Sequence, residues 1–205
     1  VALREWLARC PLVAILRGVR PDEVAAIAAA LVREGVAIIE VPLNSPEPVR
    51  SIEQLARSFG ERVLIGAGTV MTAEQVEKVA AAGGHLVVTP HAEARIVRAA
   101  KQHGLLMVAG FFTPAEAFAM QAAGADGLKL FPAEAASPAV LRALRAVLAP
   151  EALVLPVGSI DASNVVQWRA AGAAGFGVGS AIYRPGDSPD TVAAKARTLV
   201  SALGT

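Results

Sequence analysis

The stretch "GLKLFPAE" (residues 127–134) sets a lysine in the middle of an apolar run with the length of a buried strand. A buried ammonium is costly unless it is paired or held neutral. Side chains alternate along a strand, so Leu128 and Leu130 share one face and Lys129 and Phe131 the other. What the lysine faces depends on what surrounds this strand.

Seven more β-rich runs accompany it, at 12–16, 37–41, 63–67, 85–89, 105–109, 154–157 and 175–178. Segments with helical spacing fill the intervals, among them "PDEVAAIAAALVREG" (21–35) and "TAEQVEKVAAAG" (72–83), and a last one covers 191–203. The opening "VALREWLARC" is amphipathic and is expected to form a short N-terminal helix. Gly35, Gly83, Gly104, Gly124 and Gly172 fall where helices should end, as left-handed C′ residues. Ser45-Pro46, Thr113-Pro114 and Ser137-Pro138 read as a capping residue followed by proline at helix starts, and Glu116 stands at the capping-box distance from Thr113.

Eight successive β-then-α units imply parallel strands, because each crossover returns the chain to the same end of the sheet. The expected fold is a (β/α)8 TIM barrel occupying residues 1–205 as one domain. An open doubly wound sheet is the alternative. Against it, the first strand–helix junction, "LRGVRPDE" (16–23), lacks the G-x-G-x-x-G nucleotide fingerprint.

The composition is that of a globular protein, with 54% hydrophobic and 18% charged residues in 205. A formal net charge of +1 gives no global attraction to nucleic acid or membrane. Cys10 is the single cysteine, which excludes an internal disulfide. Runs such as "VAAIAAALV" (24–32) are too short to span a bilayer, and the first residues lack the apolar core of a signal peptide. A soluble cytoplasmic protein is expected. His85, His91 and His103 have no paired ligand spacing, so no metal site is expected. Trp6 and Trp168 lie in helical segments and read as packing residues.

In a barrel the active site gathers at the C-terminal ends of the strands. Alternation turns Lys129 inward on the sixth strand, together with Phe131, which can keep the amine dry. In "AIIEV" (37–41), Glu40 points opposite to Ile39 and Val41, hence inward on the second strand. In "LVAILR" (12–17), Arg17 shares the inward parity of Val13 and Ile15. Three charges from three strands thus converge on one mouth. A structural ion-pair cluster is the plain alternative, but packing does not require charge there. A lysine desolvated near a cation loses its proton more readily and becomes an amine nucleophile able to form a Schiff base with a ketone. Glu40 is the candidate proton carrier.

The junctions "PVGSI" (156–160) and "GVGSAIY" (177–183) follow the seventh and eighth strands, where this fold usually holds phosphate. Gly158, Ser159, Gly179 and Ser180 are the candidate ligands. "GAGTV" (66–70) places Thr69 at the mouth, and "VVTPH" (87–91) places Pro90 against the pocket wall; for both, ordinary turn chemistry is an equal reading.

In order along the chain, "AILRG", "IIEVPLNSP", "LIGAGTV", "VVTPH", "GLKLFPAE" and "VGSI…GVGSAIY" resemble the KDPG/KHG aldolase family. The resemblance implies a class I lyase that cleaves 2-keto-3-deoxy-6-phosphogluconate to pyruvate and glyceraldehyde 3-phosphate, or 4-hydroxy-2-oxoglutarate to pyruvate and glyoxylate. It implies Lys129 as the Schiff-base residue, Glu40 as proton shuttle, Thr69 on the pyruvate carboxylate, and the Gly158–Ser159 and Gly179–Ser180 loops on phosphate. It also implies a homotrimer with no metal or organic cofactor. Two departures stand out. Many members carry an arginine four residues after the glutamate, where this chain has Asn44, and Arg17 is the candidate to supply that charge. Val157-Gly158-Ser159 replaces a frequent Thr-Gly-Gly, which with "EVPLNSP" looks like the branch acting on the galactonate epimer. Two alternatives stay open: an isomerase or epimerase working by proton transfer alone, and a non-catalytic sugar-phosphate-binding barrel.

Overall fold

The structure, a computed structural model, describes residues 2–204. Eight strands run in parallel: β1 (Leu12–Ile15), β2 (Ile38–Pro42), β3 (Leu64–Gly68), β4 (Leu86–Val88), β5 (Leu106–Phe111), β6 (Gly127–Leu130), β7 (Val154–Pro156) and β8 (Phe176–Val178). Their order, β7-β6-β5-β4-β3-β2-β1-β8, follows the sequence around a ring, with β1 pairing to both β2 and β8. The seam between β7 and β8 is narrow: Val157 bridges to Gly177, and the Ala174 amide donates to Val154 O. All eight strands fall on the runs expected from the sequence.

A helix follows every strand: α2 (Pro21–Arg33), α3 (Pro48–Phe59), α4 (Ala73–Ala81), α5 (Ala94–Gln102), α6 (Pro114–Ala122), α7 (Pro138–Arg145), α8 (Val165–Ala170) and α9 (Pro189–Leu203). The expected short helix α1 (Leu3–Arg9) precedes the barrel and buries Leu3, Trp6 and Leu7. Trp6 and Trp168 are buried packing residues, as their helical setting implies. Residues of the helix-facing layer, including Leu128, Leu130, Ile39 and Val41, are completely or almost completely buried. Burial of that much apolar side chain, at roughly 25 cal/mol per Å², is the main force holding the layers together.

Local signals set the boundaries. The five glycines expected to close helices all have positive φ, between 70° and 99°. Thr113 accepts from the Glu116 amide while Glu116 caps back to the Thr113 amide, and Ser137 accepts from the Val140 amide. The Ser45-Pro46 start is corrected. Helix α3 begins at Pro48 behind a left-handed Glu47 (φ 40°), because the Ser45 hydroxyl is taken by the Gly18 amide at 3.0 Å. A long-range bond from the β1 loop outcompetes the local cap, and the helix starts two residues later.

Candidate active site

Inside the barrel, Val13, Ile15, Val88, Val108, Leu155, Val157 and Gly177 surround Glu40 and Lys129. The space left among them is about 10 Å³, on the order of one water molecule. Strand register explains the meeting: Glu40 sits opposite Ile15 on β1, and Lys129 opposite Gly110 on β5 and Leu155 on β7. Glu40 is 2% and Lys129 4% exposed. The ammonium nitrogen of Lys129 lies 4.7 Å from the centre of the Phe131 ring, a cation–π distance. Glu40 Oε2 is buried without a hydrogen-bond partner. One side of that carboxyl rests on Gly68, where a methyl group would come within 1.6 Å of Oε2.

This packing tunes both groups. Burial raises the Glu40 carboxyl to about 7, against the opposing pull of Lys129 and Arg17. Burial also lowers the Lys129 ammonium; Glu40 resists that shift and Arg17 reinforces it. Taking an ion out of water costs more than the neighbouring opposite charge returns, so desolvation dominates on both sides. The pair therefore holds an amine that releases its proton readily and a carboxyl able to give or take one near neutrality.

Above the pair, Arg17 donates through Nη1 to Asn44 Oδ1 at 2.6 Å and through Nη2 to Thr69 Oγ1 at 3.4 Å. Asn44 thus occupies the expected arginine position and instead orients Arg17, in the loop just after β1. Thr69 has φ 54°, a left-handed conformation that costs a β-branched residue on the order of 1–3 kcal/mol and is typical of positions whose side chain is aimed for a purpose.

Outward from Arg17, a cleft of about 340 Å³ is lined by Gly158, Ser159, Gly179, Ser180, Ile15, Val157, Asp161 and Arg184, among others. Gly158 (φ 115°) and Ser159 (φ 52°) both have left-handed backbone, a sharp turn at the edge of the cleft. The backbone carbonyl of Ser159 accepts from Asn164 Nδ2 at 2.7 Å and that of Ser180 from Arg184 Nε at 3.2 Å, bonds that tie down the two loops. The β8 loop is clamped to the β1 loop and to the first turn of α2. The buried Tyr183 hydroxyl donates to Glu23 Oε1 at 3.0 Å, and Pro185 covers Gly18. Burial and then the Glu23 bond push the Tyr183 hydroxyl upward, so it stays a donor.

The structure brings together Lys129, Glu40, Arg17, Asn44, Thr69 and Phe131, and beside them Gly158, Ser159, Gly179 and Ser180. Pro90 lies against Gly110, the residue that pairs with Lys129 across β5 and β6. Sequence reasoning missed Thr89, which is fully buried, donates to His91 O at 2.8 Å and accepts from the Gly110 amide at 3.0 Å. It fixes the end of β4 beside the lysine strand's neighbour; a threonine closing an apolar run was the available signal. Gly68 and Arg184 were missed too. Among the described residues, no group of three or more His, Cys, Asp or Glu converges as a metal site, and no helix is long and apolar enough to cross a membrane.

A desolvated lysine facing a neutral-range carboxyl, with a guanidinium and an anion-sized cleft above them on a (β/α)8 barrel, defines an enzyme built for carbonyl chemistry on an anionic substrate. Residues 3–193 match the model of the aldolase family described as KDPG and KHG aldolase. The 2-dehydro-3-deoxy-6-phosphogalactonate aldolase of Escherichia coli (strain K12) is 41% identical over 198 residues, 97% of each chain. A solved structure described as native KDPGal superposes with a TM-score of 0.94 at 41% identity, covering 96% of this chain and 95% of that one. The KDPG aldolase of Legionella pneumophila, solved with pyruvate captured at low pH as a covalent carbinolamine intermediate, superposes with a TM-score of 0.85 at 26% identity, covering 96% and 97%. The chain belongs to the KDPG and KHG aldolase family and is a carbon–carbon lyase.

Proposed function

We propose that the protein is a class I aldolase for phosphorylated 2-keto-3-deoxy sugar acids, with Lys129 as the Schiff-base residue and Glu40 as the proton carrier. The single observation that carries this reading is the burial of the Lys129 amine and the Glu40 carboxyl together inside the barrel, with shifts toward neutrality.

The chemistry follows from these groups. The neutral Lys129 amine attacks the C2 ketone, and Glu40 relays protons as the carbinolamine forms and loses water. The resulting iminium is an electron sink. As the Glu40 carboxylate takes the C4 hydroxyl proton, the C3–C4 bond breaks, the aldehyde departs, and the electron pair is held as an enamine. The enamine carbon regains that proton, and hydrolysis of the iminium releases pyruvate and restores the amine. Arg17, oriented by Asn44, and Thr69 hold the C1 carboxylate; the loops of Gly158–Ser159 and Gly179–Ser180 hold the phosphate. Phe131 shields the amine from water.

The sequence reading put 6-phosphogluconate and hydroxyoxoglutarate substrates first, with the galactonate epimer as the alternative. The relatives named for 2-dehydro-3-deoxy-6-phosphogalactonate, together with Val157 above the reacting centre, favour the galactonate epimer. A single catalytic domain, a homotrimer, a cytoplasmic location and independence of metal belong to the same proposal. Side-by-side cleavage assays on the two epimeric six-carbon phosphates and 4-hydroxy-2-oxoglutarate test it. The expected order places the galactonate epimer first. A protein that cleaves none of the three contradicts the proposal.

A further inference from the structure

The cleft beyond β7 and β8 holds one cation that the mouth cluster does not use. Arg184 lines this cleft beside Gly158, Ser159, Gly179 and Ser180. Two bonds fix it: Nε donates to Ser180 O at 3.2 Å, and its backbone amide donates to Asp187 Oδ2 at 2.8 Å. That same carboxylate oxygen is held by Lys195 at 2.5 Å. The two terminal nitrogens of Arg184 therefore have no ion pair or hydrogen bond among the described residues. Arg17, the other cation on the cleft, has both terminal nitrogens engaged by Asn44 and Thr69.

Two carboxylates also stand at this end, and the cation Lys195 is paired with Asp187. Asp161 lines the cleft and is tied to the Ser163 amide and hydroxyl. Glu134 lies beside it, with Oε2 close enough to Gly158 that a methyl group there would approach within 1.9 Å. A phosphate dianion on the Gly158 and Gly179 loops thus meets two carboxylates, and backbone amides supply dipoles but no net charge. A guanidinium with a free two-pronged edge is the group that balances this, since its geometry matches two phosphate oxygens at once.

We infer that Arg184 is the phosphate-binding cation of this cleft and sets the preference of the enzyme for phosphorylated over unphosphorylated keto acids. The inference rests on the aldolase reading above and assigns the substrate class to a named residue. Asp187, whose carboxylate Arg184 meets through its backbone amide, is also paired with Lys195.

The test compares the wild type with Arg184→Ala and Arg184→Lys. Three readouts apply: kcat/KM for 2-keto-3-deoxy-6-phosphogalactonate and for 4-hydroxy-2-oxoglutarate, calorimetric binding of inorganic phosphate, and borohydride trapping of pyruvate. In Arg184→Ala the ratio of the two kcat/KM values falls roughly ten- to hundredfold, the loss of a charge-assisted bond pair. The change comes mainly through KM of the phosphorylated substrate. Arg184→Lys falls between, because it keeps the charge and loses the fork, and phosphate affinity drops in the same order. An unchanged ratio in an Arg184→Ala protein that still traps pyruvate overturns the inference. So does an Arg184→Ala protein that no longer traps pyruvate while Arg184→Lys behaves likewise, because the residue is then structural. A wild type that traps no pyruvate but binds phosphate through Arg184 overturns the aldolase reading and leaves the phosphate assignment supported.

Discussion

Replacing Gly68 with alanine is expected to disable the enzyme by moving one carboxyl group. The added methyl would stand 1.6 Å from Glu40 Oε2, 2.3 Å from Cδ and 2.4 Å from Oε1. Carbon–oxygen contact becomes tolerable at about 3.3 Å, so the carboxyl has to retreat by roughly 1.5 to 2 Å. Gly68 does not have a left-handed φ, so alanine is not strained by its backbone conformation. A misplacement of about 1 Å in a catalytic group costs on the order of a hundredfold in rate, about 2.7 kcal/mol. Steady-state kinetics on the six-carbon phosphate should show kcat reduced by that factor with KM little altered, and thermal unfolding should show a folded barrel. The double variant Gly68→Ala/Glu40→Asp adds a sharper readout. Shortening the carboxylate by one methylene makes room for the new methyl, so the pair should be more active than Gly68→Ala alone, although Glu40→Asp by itself is harmful. Wild-type kcat in Gly68→Ala, or no gain from the second substitution, would refute the claim that Gly68 seats the carboxyl.

Three further outcomes follow from the same site. Burial keeps the Glu40 carboxyl protonated up to about 7, and bond cleavage needs the carboxylate, so kcat/KM should rise with pH through about 7 and Glu40→Gln should lose that limb along with most activity. Stability moves the other way: the folded value lies above the ordinary 4.5, so the contribution of the protonated group is full below about 4.5 and lost as pH rises through 7. Denaturant titrations at pH 5 and 8 should therefore show a wild-type loss of up to about 3 kcal/mol across the window and a smaller loss in Glu40→Gln. Arg17→Ala should weaken pyruvate binding about tenfold or more, and Asn44→Ala less, since Arg17 retains its bond to Thr69; unchanged pyruvate affinity in Arg17→Ala would rule out its role on the carboxylate.

Much of this architecture is legible in the residues because two periodicities carry it. Alternation within "AIIEV" and "GLKLF" is enough to turn Glu40 and Lys129 inward, since a strand allows only two directions. Glycines 35, 83, 104, 124 and 172 are equally readable, because a left-handed C′ residue has few substitutes. What escapes is whatever depends on a partner distant in the chain. Ser45 looks like a cap until Gly18 claims its hydroxyl. Thr89 looks like the end of a strand, and only the fold brings the Gly110 amide to it. The meaning of Gly68 lies in Glu40 on the adjacent strand, and the place of Arg184 on the cleft depends on the β7 and β8 loops meeting.

The most direct test of the account is the covalent bond itself. Incubation with pyruvate and borohydride, followed by peptide mass spectrometry, should give one reduced adduct on Lys129, absent from Lys129→Met and formed much more slowly in Glu40→Gln. An adduct on another lysine, or full cleavage activity with no adduct at all, would contradict it.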